Sequence, residues 1–219
     1  MPETFAAIFD WDGVIIDSSR IHGESWEILA DREKKQLPDD YFAKSFGMRN
    51  DTIIPEILRW TEDEKEIRRL SDLKEAVYRE LIVKRGLSPL PGVKTFLALL
   101  RGGSIPCALG SSTPRLNIAT ALKLLGLEDY FQVIVAAEDV KRGKPDPHVF
   151  LLAAQQLAVP PERCVVFEDA LVGVEAARAG GMKVVAVATT SPASALMRAD
   201  RVVDRLDELM LRDLEELLG

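Results

Sequence analysis

Five short apolar runs, FAAIF at 5–9, PCALG at 106–110, VIVA at 133–136, CVVF at 164–167 and VVAV at 184–187, alternate with longer segments of helical periodicity. A strand with one face in water alternates polar and apolar residues. A run that is apolar at every position needs cover on both faces, which is the situation in a parallel sheet sandwiched between helices. The intervening helices carry their own punctuation. Thr113-Pro114 places a capping side chain before a proline at the first helical position, with Gly126 at the far end, and Asp146-Pro147 repeats the pattern. TFLALL at 95–100 and GVEAARAGG at 173–181 are further helical stretches. The expected class is α/β, with a doubly wound parallel sheet.

The alternation fails between Ser18 and Ser88, where charged amphipathic segments such as EDEKEIRRLSDLKEAVYREL replace strand-like runs. This predicts an all-α insertion, the cap, over 18–88, with the α/β core formed by 1–17 and 89–219. Pro89-Leu90-Pro91-Gly92 marks the return to the core. A chain of 219 residues that is 47% hydrophobic can bury one sizeable core and a small appended domain. With 28 basic against 35 acidic residues its net charge is −7, the wrong sign for condensing onto a phosphate backbone, so nucleic acid is not an expected partner. No apolar stretch reaches the roughly 18 residues that span a bilayer, and the acid-interrupted amino terminus does not read as a signal peptide. Cys107 and Cys164 both fall within predicted buried strands, where a thiol behaves as a small apolar group. A cytoplasmic monomer is the expectation.

The stretch FDWDGVIIDS at 9–18 sets three carboxylates in apolar surroundings. Ligands of open α/β sheets bind beyond the carboxyl ends of the strands, where Asp10 stands. Side chains at i and i+2 of an extended chain share a face, which groups Asp10 with Asp12 and turns Trp11 the other way, before Gly13 permits a sharp turn. Two such charges repel unless a cation or a proton holds them. Other strand ends supply Ser111, Ser112 and Thr113, then Lys144 in RGKPDPHVF, then Glu168 and Asp169. Singly, Thr113 is explained as a helix cap, Lys144 as an exposed lysine and Asp169 as a cap. Jointly they put a hydroxyl, a cation and four carboxylates on one rim. The lysine segment is not a Walker loop, because Pro145 follows Lys144 and the required earlier glycine is missing.

Such a rim suits phosphoryl transfer. Asp10 and Asp169 can hold a hard divalent ion, Mg²⁺ first among them, and Lys144 can neutralise phosphate oxygens. An aspartate of ordinary pKa, about 3.9, is ionised at pH 7, so Asp10 can act as nucleophile without a helper base. For Asp12 to donate a proton at pH 7, burial or neighbouring negative charge must raise its pKa. Ser111 would hydrogen-bond the transferring group.

Taken in order, Asp10-Trp11-Asp12-Gly13, Ser111, Lys144 and Glu168-Asp169 closely resemble the motifs of the haloacid dehalogenase (HAD) superfamily, and within it the β-phosphoglucomutase and sugar-phosphatase branch. The resemblance covers essentially the whole chain. It implies a Rossmann-like core with a helical cap inserted after the first motif and an aspartyl-phosphate intermediate on Asp10. It further implies acid and base work by Asp12, and Mg²⁺ bound by Asp10, the Asp12 backbone carbonyl and Asp169, with support from Glu168. Substrate contacts implied by the same likeness are His22, Trp26, Gly47, Arg49, Lys74 and Ser112. Trp26 also stands at helical spacing from Leu29 and Ala30, the pattern of a core stripe. His148 has no motif partner and reads as structural or exposed. Pro114 stands where the mutase has a lysine. The leading expectation is therefore a Mg²⁺-dependent phosphatase of a small phosphorylated metabolite, with sugar phosphates the first candidates. The alternatives are a phosphosugar mutase and a receiver-like module that binds phospholigands without turnover.

Overall fold

The computed structural model describes residues 5–45 and 48–219. Its sheet has six parallel strands in the order β3-β2-β1-β4-β5-β6: β1 Ala6–Phe9, β2 Cys107–Gly110, β3 Val133–Val135, β4 Cys164–Glu168, β5 Lys183–Val187 and β6 Arg201–Val203. The doubly wound α/β class read from the apolar runs is the one observed. β6 escaped that reading because RVV is too short to register as a run and lies, partly exposed, on the sheet edge.

β1 lies at the centre, and its side chains divide with period two. Ala7 and Phe9 face one cluster, with Phe96 and Leu100 of α5 (Val93–Gly102) and Ile118 and Leu122 of α6 (Arg115–Leu125). Ala6 and Ile8 face the other, with Phe150 of α7 (His148–Leu157) and Val174 of α8 (Leu171–Ala179). Both faces of the strand are dry, which is why its sequence does not alternate. Phe9 stacks on Phe167 with ring centroids 4.6 Å apart, and pairs in register with both Leu109 and Phe167. That register levels the ends of β2, β1 and β4, so the next residues along each, Gly110 and Ser111, Asp10, and Glu168, emerge side by side. The chain leaves β1 for β2 on one side and later occupies β4 on the other, which makes this end of the sheet the topological switch point.

Between Ser18 and Ser88 the described residues form helices and turns: α1 (Ser19–Glu33), α2 (Tyr41–Ser45), α3 (Asn50–Thr52), a π-helical turn at Ile53–Ile57, and α4 (Glu64–Arg85). The side chain of Asp63 caps α4 by accepting from the amides of Lys65 and Glu66. These helices share a small apolar core containing Trp26, Leu29, Ile54 and Leu70. Val77, Tyr78, Leu81 and Ile82 of α4 join the large cluster under β1 instead, so one helix is rooted in both.

Two helix starts differ from the sequence reading. α6 begins at Arg115, after Pro114 in extended backbone, and no side chain caps it. Thr113 is therefore not its cap. α7 begins at His148, after Pro147, with Asp146 Oδ1 accepting from the His148 amide at 3.0 Å. Among the described residues no helix is long and apolar enough to cross a membrane.

Candidate active site

The turn after β1 depends on glycine. Gly13 has φ +78°, its amide donates to Ile16 O at 2.7 Å, and the amides of Ile15 and Ile16 both reach Trp11 O. Trp11 points into the core, away from the cavity, as the alternation of side chains requires. A Cβ on residue 13 would overlap the carboxylate of Asp169. Gly13→Ala should accordingly lose roughly 2 kcal/mol or more of stability, from the left-handed backbone and the overlap together, measurable by denaturant unfolding. Its activity should fall with it, because Asp169 must move.

Asp10, Glu168 and Asp169 each offer an oxygen within 4.8 Å of the others. Lys144 Nζ, brought in from the loop before α7, lies 2.9 Å from Asp10 Oδ1 and 2.6 Å from Glu168 Oε1. One ammonium thus faces three carboxylates. The ordinary pKa read for Asp10 from the sequence is corrected here: burial is the main reason that its carboxyl sits well above the usual range, with Glu168 and Asp12 pushing it further up and Lys144 pulling against them. Asp169 is raised for the same reasons, by burial first and then by Glu168 and Asp10. Lys144 moves up as well: burial opposes its charge, but Asp10 and Glu168 outweigh that cost. Glu168 is already well occupied, its Oε2 accepting the amides of Asp169 and Ala170 at 2.8 and 2.9 Å. Asp10 Oδ1 is buried, and the Lys144 ammonium 2.9 Å away pairs with its charge. Three carboxylates sharing one ammonium leave an oxygen-only cluster short of positive charge, which fits a hard divalent cation.

Asp12 faces elsewhere. It accepts hydrogen bonds from the hydroxyls of Ser18 and Thr113, and His22 Nε2 lies 3.6 Å from its Oδ1. Lys74 Nζ is 2.6 Å from His22 Nδ1. An ammonium can only donate, so Nδ1 accepts and the imidazole proton sits on Nε2, toward Asp12. The sequence reading required a raised Asp12 pKa, and the structure corrects it. Burial alone would raise it, but the donors His22, Ser18 and Thr113 prevail and hold the group below its usual range. Thr113, read as a helix cap, belongs to this cradle.

Asp10, Asp12, Ser111, Lys144, Glu168 and Asp169 line one cavity of about 900 Å³. Its opposite wall comes from the inserted helices and includes His22, Trp26, Arg49 and Lys74, and Ser112 lines it as well. Ser111 is buried and its Oγ accepts from the Thr113 amide at 3.1 Å. Trp26 both faces the cavity and packs in the small apolar core, its ring meeting Trp60 edge-on. Arg49 reaches across to the sheet layer: Nη1 donates to Ala137 O and Val140 O at 2.9 and 3.1 Å, and Nε and Nη2 bind Asp51. Gly47 lies outside the described residues. His148 is exposed.

Several participants have no place in the sequence reading. Thr190 donates to Asp169, and Thr189 to Gly13 O. As polar residues just past β5 they carry the same signal that marked the other strand ends. Ser18, Asn50, Glu75 and Asn117 carry no such signal, since polar residues on amphipathic helices are ordinary.

The family model of haloacid dehalogenase-like hydrolases matches residues 6–181. The chain is 42% identical over 214 residues to the chloroplastic 5-amino-6-(5-phospho-D-ribitylamino)uracil phosphatase of Arabidopsis thaliana, a match covering 96% of this chain and 57% of that protein's length. It is 33% identical over 219 residues to the phosphorylated carbohydrates phosphatase of Thermotoga maritima, covering 97% of this chain and 99% of that one. The crystal structure of β-phosphoglucomutase from Clostridium difficile superposes with a TM-score of 0.86 at 28% identity, over 98% of this chain and 97% of that one. A family match that runs through β1, β2 and β4, whose ends carry the carboxylates and the serine, means that this chain belongs to the haloacid dehalogenase-like hydrolases.

Proposed function

We propose that the protein is a Mg²⁺-dependent phosphatase of small phosphorylated metabolites, working through an aspartyl-phosphate on Asp10. The observation that carries this reading is the meeting of Asp10, Lys144, Glu168 and Asp169 at one strand end, with a second, separately cradled carboxylate, Asp12, on the same cavity. Asp10 attacks phosphorus, forming the P–O bond to its carboxylate as the bond to the alcohol oxygen breaks. Lys144 and the Ser111 hydroxyl hold the phosphoryl oxygens. Asp12 gives its proton to the departing alkoxide and then, as a carboxylate, takes one from the water that cleaves the aspartyl-phosphate, restoring Asp10. The donors that hold the Asp12 pKa down favour its carboxylate form, which suits the second half. The negative charge of an arriving phosphate favours the protonated form that the first half needs. A Mg²⁺ ion held by Asp10, Asp169 and the Asp12 backbone carbonyl, with Glu168 in support, would supply charge stabilisation for the transferring group.

The fit of the acidic cluster to a divalent cation leads to a direct expectation. Chelation should abolish phosphate release, by about 10³-fold or more, and added Mg²⁺ should restore it. Activity that persists in excess chelator would remove the metal from the reading.

For the substrate, the named activities of the relatives point to phosphorylated sugars and to a phosphorylated ribityl chain bearing a pyrimidine. A cavity of about 900 Å³ lies near the top of the usual range for ligand pockets, roughly 300–1,000 Å³, and accommodates either. A phosphate-release screen over sugar phosphates, polyol phosphates and the phosphoribitylamino-pyrimidine, with and without Mg²⁺, separates them.

The isomerase alternative needs cations for a second phosphate. Pro114 occupies the position of the mutase lysine, and Arg49 is taken up by Asp51 and two carbonyls. Both support hydrolysis. Given β-glucose 1-phosphate and a trace of its bisphosphate, the protein should yield free phosphate; glucose 6-phosphate would identify a mutase. Burial pushes the thiols of Cys107 and Cys164 up to about 12, and such unreactive free cysteines suit the cytoplasm.

A further inference from the structure

α6 carries a polar residue where the core should be apolar. Asn117 is fully buried, on a helix whose other buried positions are Ile118, Ala121, Leu122 and Leu125. A buried amide without partners is strongly unfavourable, so its hydrogen bonds explain its presence. Its Nδ2 donates to Glu75 Oε2, and its Oδ1 accepts from Arg79 Nη1 at 2.8 Å. An acceptor on one side and a cation on the other leave the amide one satisfactory orientation. Glu75 and Arg79 belong to α4, one turn apart, so a single side chain of the sheet layer holds two residues of the inserted helices.

The bonds continue into the cavity. Glu75 is 6% exposed, and its Oε1 accepts from Lys74 Nζ at 2.9 Å and from Asn50 Nδ2 at 2.7 Å. Lys74 in turn meets His22, and Lys74, Glu75, Asn50 and Arg79 all line the wall opposite Asp10. Asn117 does not line the cavity, while Asp10, Ser111 and Lys144, on the sheet side, owe nothing to it.

We propose that Asn117 is a positioning residue: it seats α4 on the sheet layer and thereby places the Lys74–Glu75–Asn50 wall against the part of the substrate beyond its phosphate. This rests on the phosphatase reading above. Asn117 then matters for substrates that reach the wall and not for a phosphoryl donor too small to touch it.

Asn117→Asp tests this with little change of shape, since it sets a carboxylate against Glu75. With the best substrate from the screen, kcat/KM should fall at least tenfold, mostly through KM. With acetyl phosphate, which presents little beyond the phosphoryl group, kcat/KM should stay within twofold, as should inhibition by inorganic phosphate. Glu75→Gln should also lose activity on the large substrate, because it leaves two amide donors facing each other, and Asn117→Ala, which removes both hydrogen bonds without adding charge, should show the same split between substrates and serves if Asn117→Asp does not fold. The pair Glu75→Gln with Asn117→Asp reverses the hydrogen bond, keeps Arg79 on a carboxylate, and should recover most of the loss. Equal losses on both substrates, no loss on the large one, or a double variant no better than the singles would overturn the proposal. A wild-type protein that releases phosphate from neither acetyl phosphate nor the panel would instead overturn the phosphatase reading.

Discussion

Asp10→Asn reduces kcat by about 10⁴-fold or more, because the amide is nearly isosteric with the carboxylate but supplies no nucleophile. No phosphorylated enzyme should form, which single-turnover quenching with radiolabelled substrate reads directly. Substrate affinity should survive, since Ser111, Lys144 and the helical wall remain. The same variant makes a second, opposite prediction about stability. Burial and nearby carboxylates raise the Asp10 pKa above its unfolded value. An acid whose folded pKa is raised destabilises the fold once the pH exceeds the unfolded pKa, because ionising it costs more in the native state. In metal-free protein at neutral pH, Asp10→Asn should therefore raise Tm while abolishing turnover. An unchanged or lowered Tm in chelator would mean that the crowding of Asp10, Glu168 and Asp169 is relieved in some other way. Activity surviving in the variant would remove Asp10 as nucleophile.

Asp12→Asn should cost about 10²–10⁴-fold on a sugar or polyol phosphate, the usual worth of a positioned general acid and base. The loss should depend on the leaving group. An alkoxide needs its proton as the bond breaks, whereas p-nitrophenolate departs without one, so aspartyl-phosphate formation from p-nitrophenyl phosphate should be much less affected. Its hydrolysis still needs a base, so phosphorylated protein should accumulate after a burst of nitrophenol. A variant slowed equally on both substrates, with no burst, would assign Asp12 to structure alone. Its three donors argue otherwise: hydroxyls from Ser18 and Thr113 and an imidazole oriented by Lys74 aim an acceptor at the cavity with more organisation than a surface aspartate needs.

The strands and the residues just past them were legible because their signals are local. FAAIF and CVVF are apolar at every position, and the residues that leave such strands must emerge at the same end of a parallel sheet. From this came the convergence of Asp10, Ser111, Lys144 and Glu168-Asp169, while the charged amphipathic segments carried the helical character of the described residues between 18 and 88. β6 escaped because its three residues, the first two half-exposed on the sheet edge, are too few to register as an apolar run. Thr113 was misread for a related reason: a threonine before a proline looks like a cap from its neighbours alone, and only the arrival of Asp12, 101 residues away in sequence, engages its hydroxyl instead.

What the sequence alone determined is which groups stand at the rim of the sheet, since strand periodicity and chain direction dictate it. Charge state and alignment were decided by the tertiary structure. Whether Asp12 is pushed up or held down, whether His22 shows it a proton, and what Asn117 and Glu75 do in otherwise ordinary helices depend on which distant segments pack together. A pKa or a buried hydrogen bond is a property of surroundings, and those surroundings exist only once α1 and α4 have closed over the ends of β1, β2 and β4.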